Sequence, residues 1–396
     1  MTNQPDIATL SEAQNLFEFS QSIRRDLHQH PELGYQENRT AGLIAKELTQ
    51  LGMEVTTGIA RTGVVGLLEG NVPGPVVLVR FDMDALPILE ESGAAYASQS
   101  PGVMHACGHD GHVATGLSVA RILAAHKEEL SGTVKFVFQP AEEGLGGAEE
   151  MIREGVLESP KVDYSLALHI WNEKPLGWMA VVPGPFMAAS ETFSIQIHGK
   201  GGHGALPHLA TDPVFAAAQW ISAVQSIVSR NVSPLQPAVI SVTSIHAGET
   251  FNVIPPTVTI QGTIRSFDRS VRQTILERFE KILTGITESL GCTAEMKITS
   301  LTPAMVNDAL VTSRVQEVAR TMLPDSQLDT QYQTMGSDDM AYLLDQVPGC
   351  YFMIGSANPD KGLTAGHHHP KFDFDEEVLP RAAALMAGAT IRLLEG

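Results

Sequence analysis

The sequence predicts an α/β protein, a helix-covered mixed sheet interrupted by a smaller α+β insert. Three observations carry that reading. Short continuous apolar runs alternate with helical patterns through the first half of the chain. Near Val182-Pro183-Gly184-Pro185 the texture changes to period-two alternation. From about Leu301 the first texture returns. Continuous apolar strands imply a sheet buried on both faces, whereas alternation implies one wet face.

The elements follow in order. Leu16, Phe19, Ile23 and Leu27 recur at helical spacing, predicting an amphipathic helix that ends near His30-Pro31. A second helix follows Thr40, with Leu43, Ile44, Leu48 and Leu51 inward and Gly52 as its stop. Strands are predicted at Val64–Leu68, Val76–Phe81, Val134–Phe138 and Ser165–Leu168, with a helix over Val113–Ala125. The insert carries alternating strands at Thr192–His198, Val239–Ile245 and Val258–Ile264, and helices at Asp212–Ser229 and Ser270–Leu290. A strand at Cys350–Ile354 and a final helix at Glu376–Leu394 complete the pattern. The expected division is 1–185 with 300–396 in one domain and 186–299 in the other.

The 396 residues are 43% hydrophobic and 18% charged, enough for a substantial core. Basic residues number 26 against 45 acidic, net −19, which argues against nucleic acid or an anionic membrane as partner. No basic segment followed by an apolar run opens the chain, and no window approaches a membrane span. Cys107, Cys292 and Cys350 are too few for a disulfide framework and suit a reducing compartment. The expected location is the cytoplasm.

Three apolar strands run into clusters of metal-ligand residue types. Val76–Phe81 leads to Asp82-Met83-Asp84, Val134–Phe138 to Gln139-Pro140-Ala141-Glu142-Glu143, and Ser165–Leu168 to His169. Between them, Met104-His105-Ala106-Cys107-Gly108-His109-Asp110-Gly111-His112 opens a helix. Sites in open α/β sheets form beyond the carboxyl ends of strands, so these clusters should converge on one edge. Cys107 and His109 can bind one ion, or reach two neighbouring ions, from the bend that Gly108 permits, and thiolate, imidazole and carboxylate suit Zn, Mn, Co or Ni. Two other readings stand beside this one: Cys107 as an ordinary buried cysteine, or as a nucleophile served by His109. Adjacent carboxylates at Glu142-Glu143 should not both point to one place, so one would bind metal while its neighbour takes a proton from water. Among His367-His368-His369, at least one is a ligand candidate from the C-terminal half, the others solvated. Gly-rich His198–His208 and Phe251–Pro255 read equally as close-approach segments or as plain hairpins.

Together these residues resemble the metal-dependent aminoacylase and carboxypeptidase family, in its amidohydrolase branch. The matching stretches are Arg25–Glu32, Arg80–Pro87, Met104–His112, Phe138–Glu143, Leu168-His169, Gly201–His203, Asn252–Pro255, Gly262–Arg265 and His368–Phe374, in one order across nearly the whole chain. The resemblance implies a catalytic domain with two divalent ions, interrupted by a lid and dimerisation domain, in a homodimer or higher oligomer. It implies Cys107, His109, Glu143, His169 and His368 as ligands, Glu142 as general base, and Asp84 as the group that orients or charge-tunes a ligand. His203 would donate to the developing oxyanion, and Asn252 and Arg265 would contact substrate. One departure is Gly336-Ser337-Asp338-Asp339-Met340, where the family often shows Gly-Ser-Glu-Asp-Phe; the shorter carboxylate and lost aromatic would reshape the pocket wall.

The implied reaction is hydrolysis of the amide bond of an N-acyl amino acid or related small amide. The nearest rival is a metallo-carboxypeptidase or dipeptidase, with the same metals and base. A rival of another class is a catalytically silent metal-binding or dimerisation protein, against which an intact Glu142 counts.

Overall fold

A computed structural model describes residues 9–395. The chain divides into two compact units. Among the described residues, one comprises 9–184, 306–332 and 338–395; the other comprises 185–305 and 333–337.

The larger unit is built on an eight-stranded mixed sheet. Its strand order is Glu54–Ile59, Gly63–Glu69, Ser131–Gln139, Val72–Asp82, Tyr164–Pro175, Gly349–Ala357, Trp178–Ala180 and Gln327–Asp329. The four middle strands, from Ser131–Gln139 to Gly349–Ala357, run parallel to one another; the strand next to them on each side is antiparallel, and the outermost Gln327–Asp329 is parallel to Trp178–Ala180. Every residue from Gly349 to Ser356 is buried, so both faces of this part of the sheet are covered. The helix His109–Ala125 is buried along nearly its whole length, packed on the strand Val72–Asp82 together with the helix Val378–Leu394. Its own periodicity is therefore weak, as expected of a helix apolar all round. The helices Phe17–Gln29 and Asn38–Gln50 are amphipathic and bury Leu27, Ile44 and Leu48.

The strand expected at Ser165–Leu168 runs on to Pro175. His169 therefore does not sit beyond a strand end but within it, opposite Met353 of the neighbouring strand. The strand Val72–Asp82 pairs Arg80 with Ala167 and Asp82 with Gln139, so its end lies level with His169 and with the Glu142-Glu143 turn. The carboxyl ends do converge, around one longer strand.

The smaller unit is a four-stranded antiparallel sheet in the order Ala238–His246, Thr257–Ser266, Ala189–His198, Thr293–Thr302. Two helices, Pro213–Ser226 and Arg269–Ser289, pack against it over Phe193, Ile195, Trp220, Ile260, Ile264 and Phe279. Each starts on an aspartate cap: Asp212 accepts from the Val214 and Phe215 amides, and Asp268 from those of Ser270 and Val271. The strand Thr293–Thr302 was not among the expected elements. It lies at an edge and is mostly exposed, so its residues carry little apolar signal.

Candidate metal centre

Gly108, with φ +94°, takes the left-handed conformation that caps the start of the helix His109–Ala125 and turns Cys107 and His109 toward the same space. His109 Nδ1 lies 2.9 Å from the Asp84 carbonyl oxygen and 3.2 Å from Asp84 Oδ1. Nδ1 therefore carries a proton, and Nε2 is the nitrogen left to face a ligand. That Nε2 is buried without a hydrogen-bond partner; the Asp82 carboxylate is 3.7 Å away. His169 repeats the arrangement, donating from Nδ1 to the Ile170 carbonyl at 2.7 Å and turning Nε2 to Cys107 Sγ at 3.4 Å.

Ligand atoms of Cys107, His109 and His169 all lie within 4.8 Å of one another, as do those of Cys107, Glu143 and His368. Cys107 belongs to both trios. His368 Nε2 is 3.2 Å from Glu143 Oε1, and the His368 amide donates to the Ala106 carbonyl at 2.8 Å, which carries the ring to the cysteine turn. Its two neighbours are used otherwise. His367 Nε2 accepts from the Asn172 amide at 3.1 Å, and His369 Nδ1 accepts from the Lys371 amide at 3.0 Å.

Glu142 and Glu143 depart from the expectation that adjacent carboxylates diverge. One oxygen of each lies within 4.8 Å of a His109 nitrogen. The turn makes this possible: Ala141 has φ +56°, and the Gly144 amide folds back onto the Glu142 carbonyl at 2.6 Å. Asp84 Oδ2 accepts from the Glu143 amide at 3.1 Å, so Asp84 ties this turn to His109.

The electrostatics are those of a site short of positive charge. Burial, then Glu143, Glu142 and Asp82, push the Cys107 thiol well above its ordinary value. A nucleophilic cysteine needs the opposite shift, and Cys107 Sγ has His169 Nε2 as a hydrogen-bond partner at 3.4 Å, so charge and geometry both count against a Cys107–His109 nucleophile. Burial, Asp338, Glu143 and Asp339 likewise raise Glu142. Burial opposes the charged form of His109, yet Asp82, Asp84 and Glu143 carry it up to about 10. His169 is held neutral by burial and by the neighbouring rings of His112 and His367.

Several residues around the site were given no individual role by the sequence. His112 Nδ1 contacts Asp82 Oδ1, and its Nε2 accepts from the Ile170 amide at 2.9 Å, so both nitrogens are engaged and the ring braces the His169 strand. Arg80, fully buried, pairs with Asp82 at 2.6 Å, with Asp339 at 2.9 Å and with Asp338 at 3.2 Å. The departure at Asp338 thus bears on more than a pocket wall, since Asp338, Asp339 and Glu142 oxygens lie within 4.8 Å of one another. A buried, fully paired arginine looks like any other arginine in the sequence, and no spacing flags it.

His203, Asn252 and Arg265 lie in the smaller unit. His203 is exposed, and its Nδ1 accepts from the Ala205 amide at 3.1 Å, which leaves Nε2–H as a free donor. Asn252 is exposed, and its backbone carbonyl accepts from the Gly204 amide at 2.8 Å. Arg265 is half-buried on its strand, donating to Thr263 Oγ1 and, at 3.2 Å, to the Ile264 carbonyl.

Residues 78–392 match the Peptidase family M20/M25/M40 over most of the chain. The chain belongs to that family. Among its relatives, thermostable carboxypeptidase 2 of Saccharolobus solfataricus is 42% identical, covering 93% of this chain and 94% of its own. N-acetyl-L-cysteine deacetylase of Bacillus subtilis is 38% identical, covering 100% of this chain and 94% of its own. The crystal structure of Bacillus subtilis YXEP, described as a dinuclear metal binding peptidase from the M20 family, superposes with a TM-score of 0.84 at 34% identity, covering 96% of this chain and 99% of that one. This M20 chain is a metal-dependent hydrolase of amide bonds. Its own residues fit divalent metal ions: an orphaned buried imidazole nitrogen, a second imidazole held neutral, and a buried thiol among carboxylates that only cations can offset.

Proposed function

We propose that this M20 hydrolase removes the acyl group from N-acyl amino acids, with its larger unit as the catalytic domain. The observation that carries the reading is the shared position of Cys107 between two ligand trios, with Glu142 beside them. In this assignment Cys107, His109 and His169 hold one ion, and Cys107, Glu143 and His368 hold the other. Bound there, Zn, Mn, Co or Ni would polarise the scissile carbonyl and lower the pKa of a water toward about 7.

Glu142 takes the proton from the attacking water and delivers it to the leaving nitrogen. Its raised pKa, set by burial and the surrounding carboxylates, suits a group that must carry a proton between the two steps. Asp84 fixes the His109 tautomer and the Glu143 turn together, so it positions ligands on both trios. His203, with Nε2–H free, is the proposed oxyanion donor, and Asn252 and Arg265 are the proposed substrate contacts, carried by the smaller unit as lid and dimerisation domain. A homodimer or higher homo-oligomer, which the family resemblance implies, is part of this proposal. No helix among the described residues is long and apolar enough to cross a membrane. The sparse, free cysteines favour the cytoplasm.

A second reading, cleavage of a peptide bond next to a free carboxylate or amine, is favoured by the 42% identity to a protein named a carboxypeptidase. Turnover of N-acetyl- and N-benzoyl-amino acids beside dipeptides, with and without chelator, separates the two. Acyl amino acids should be preferred by roughly tenfold or more in kcat/KM. Preference for dipeptides establishes the second reading, and activity unchanged by chelator sinks both.

A further inference from the structure

One backbone hydrogen bond, from the His368 amide to the Ala106 carbonyl at 2.8 Å, joins the His368 arm to the cysteine turn, and that arm, residues 365–376, has no helix or strand of its own. Arg24, on the helix Phe17–Gln29, is fully buried, with each of its three guanidinium nitrogens on a different carboxylate. Nε meets Asp110 at 2.9 Å, Nη2 meets Asp373 at 2.6 Å and Nη1 meets Glu376 at 3.2 Å. Asp110 follows the ligand His109 directly, and Asp373 lies five residues beyond His368. The guanidinium also lies over the rings of Tyr96 and Phe374, 4.7 Å and 4.4 Å from their centroids. The Tyr96 hydroxyl donates to the second Asp373 oxygen at 2.7 Å. A planar fork matched to three carboxylates fixes distances between segments as no single-point cation can.

We propose that Arg24 is a positioning residue that sets the span between the two ligand trios by pinning the His368 arm to the start of the His109 helix. This rests on the ligand assignment above. Other ties exist: the His368 amide donates to the Ala106 carbonyl, Asn172 Nδ2 donates to the Ala365 and Asp373 carbonyls, and the Glu91 amide donates to the Pro370 carbonyl. Those ties hold the arm's backbone. Only the Arg24 fork among the described contacts joins arm carboxylates to the residue beside His109. The trio of Cys107, Glu143 and His368 has its histidine half-exposed, with 54% of the side chain accessible, and depends on the pin. In the other trio both histidines are buried and locked by their own Nδ1 hydrogen bonds. Loss of the pin therefore weakens one ion and spares the other.

The test is titration of the metal-free full chain with Mn and with Zn, in calorimetry and by metal content after dialysis. Arg24→Lys keeps the charge and loses the fork; Asp373→Asn keeps one oxygen to accept from Arg24, removes the arm's charge and puts an amide NH2 where the second oxygen accepted from the Tyr96 hydroxyl. Both should bind the first ion as the unaltered chain does and the second about 10–100-fold more weakly. Equal weakening of both ions, or affinities within about twofold of the unaltered chain in a folded Asp373→Asn, overturns the proposal. Should Arg24→Lys fail to fold, Asp373→Asn decides alone. His368→Ala serves as the reference: if it also leaves both ions unchanged, the ligand assignment is wrong, whereas loss there with none in Asp373→Asn leaves the assignment standing and removes the pin.

Discussion

At the scale of single residues, the site is defined by which nitrogen, sulfur and oxygen atoms are left free. His109 and His169 each spend Nδ1 on a carbonyl and keep Nε2, whereas His112 spends both nitrogens and is a brace. Sequence spacing presents His109 and His112 as equals, and only the hydrogen bonds separate them. Glu142→Gln should retain both ions and lose turnover by about 10²–10⁴-fold, because the shape is kept and the base is gone. Metal analysis beside steady-state rates checks this, and a near-normal rate removes Glu142 as base. His203→Ala should lower kcat by about 10²–10³-fold with metal content unchanged. Full activity in that variant would leave the oxyanion without its proposed donor.

The turns that aim these groups belong to the scale of elements. The stretch from Pro140 to Gly147 closes on itself: the Gly147 amide donates to the Ala141 carbonyl at 3.1 Å. A Cβ at Gly147 would sit 1.7 Å from the Pro140 carbonyl oxygen, which is backbone and cannot swing aside. Gly147→Ala should therefore displace the Glu142-Glu143 turn, lowering both the melting temperature and the metal content after dialysis. A fully metallated Gly147→Ala would show that the turn tolerates the shift. The sequence made the glycine-rich stretch visible, but not which glycine the turn cannot lose. The same limit explains the edge strands Glu54–Ile59 and Thr293–Thr302. Their residues are largely wet, so hydropathy has little to report there.

For the whole molecule, stability should respond both to metal and to pH. A cation that binds only the folded chain adds about 2.7 kcal/mol at 100 times its Kd, so chelation should lower the melting temperature and a divalent ion should restore it. A melting temperature indifferent to both would contradict the ligand set. His28 bridges Asp110 at 2.7 Å and Glu90 at 3.2 Å in the buried network around Arg24. Burial works against its charged form, but the Asp110 and Glu90 carboxylates raise its pKa above the ordinary value. A folded-state value above the unfolded one gives stability that is complete below about pH 6.5 and lost as pH climbs through the raised value. Denaturant midpoints should fall over that window in the unaltered chain, and His28→Gln should flatten the decline. Parallel profiles for the two would mean that His28 carries no proton there.

By itself the sequence determined the α/β and α+β textures, the helices at Phe17–Gln29 and Arg269–Ser289, and the residue types gathered at three strand ends. Periodicity and local ligand spacing are properties of neighbouring residues, and neighbouring residues are what a sequence records. The tertiary structure alone decided that His169 lies inside a strand that outruns its neighbour, and that Glu142 and Glu143 converge instead of diverging. It alone showed that Arg24 and Arg80 are buried among carboxylates. Each of these depends on groups far apart in the chain sharing a low-dielectric space, where an unpaired charge is costly, and that cost is set by the completed fold.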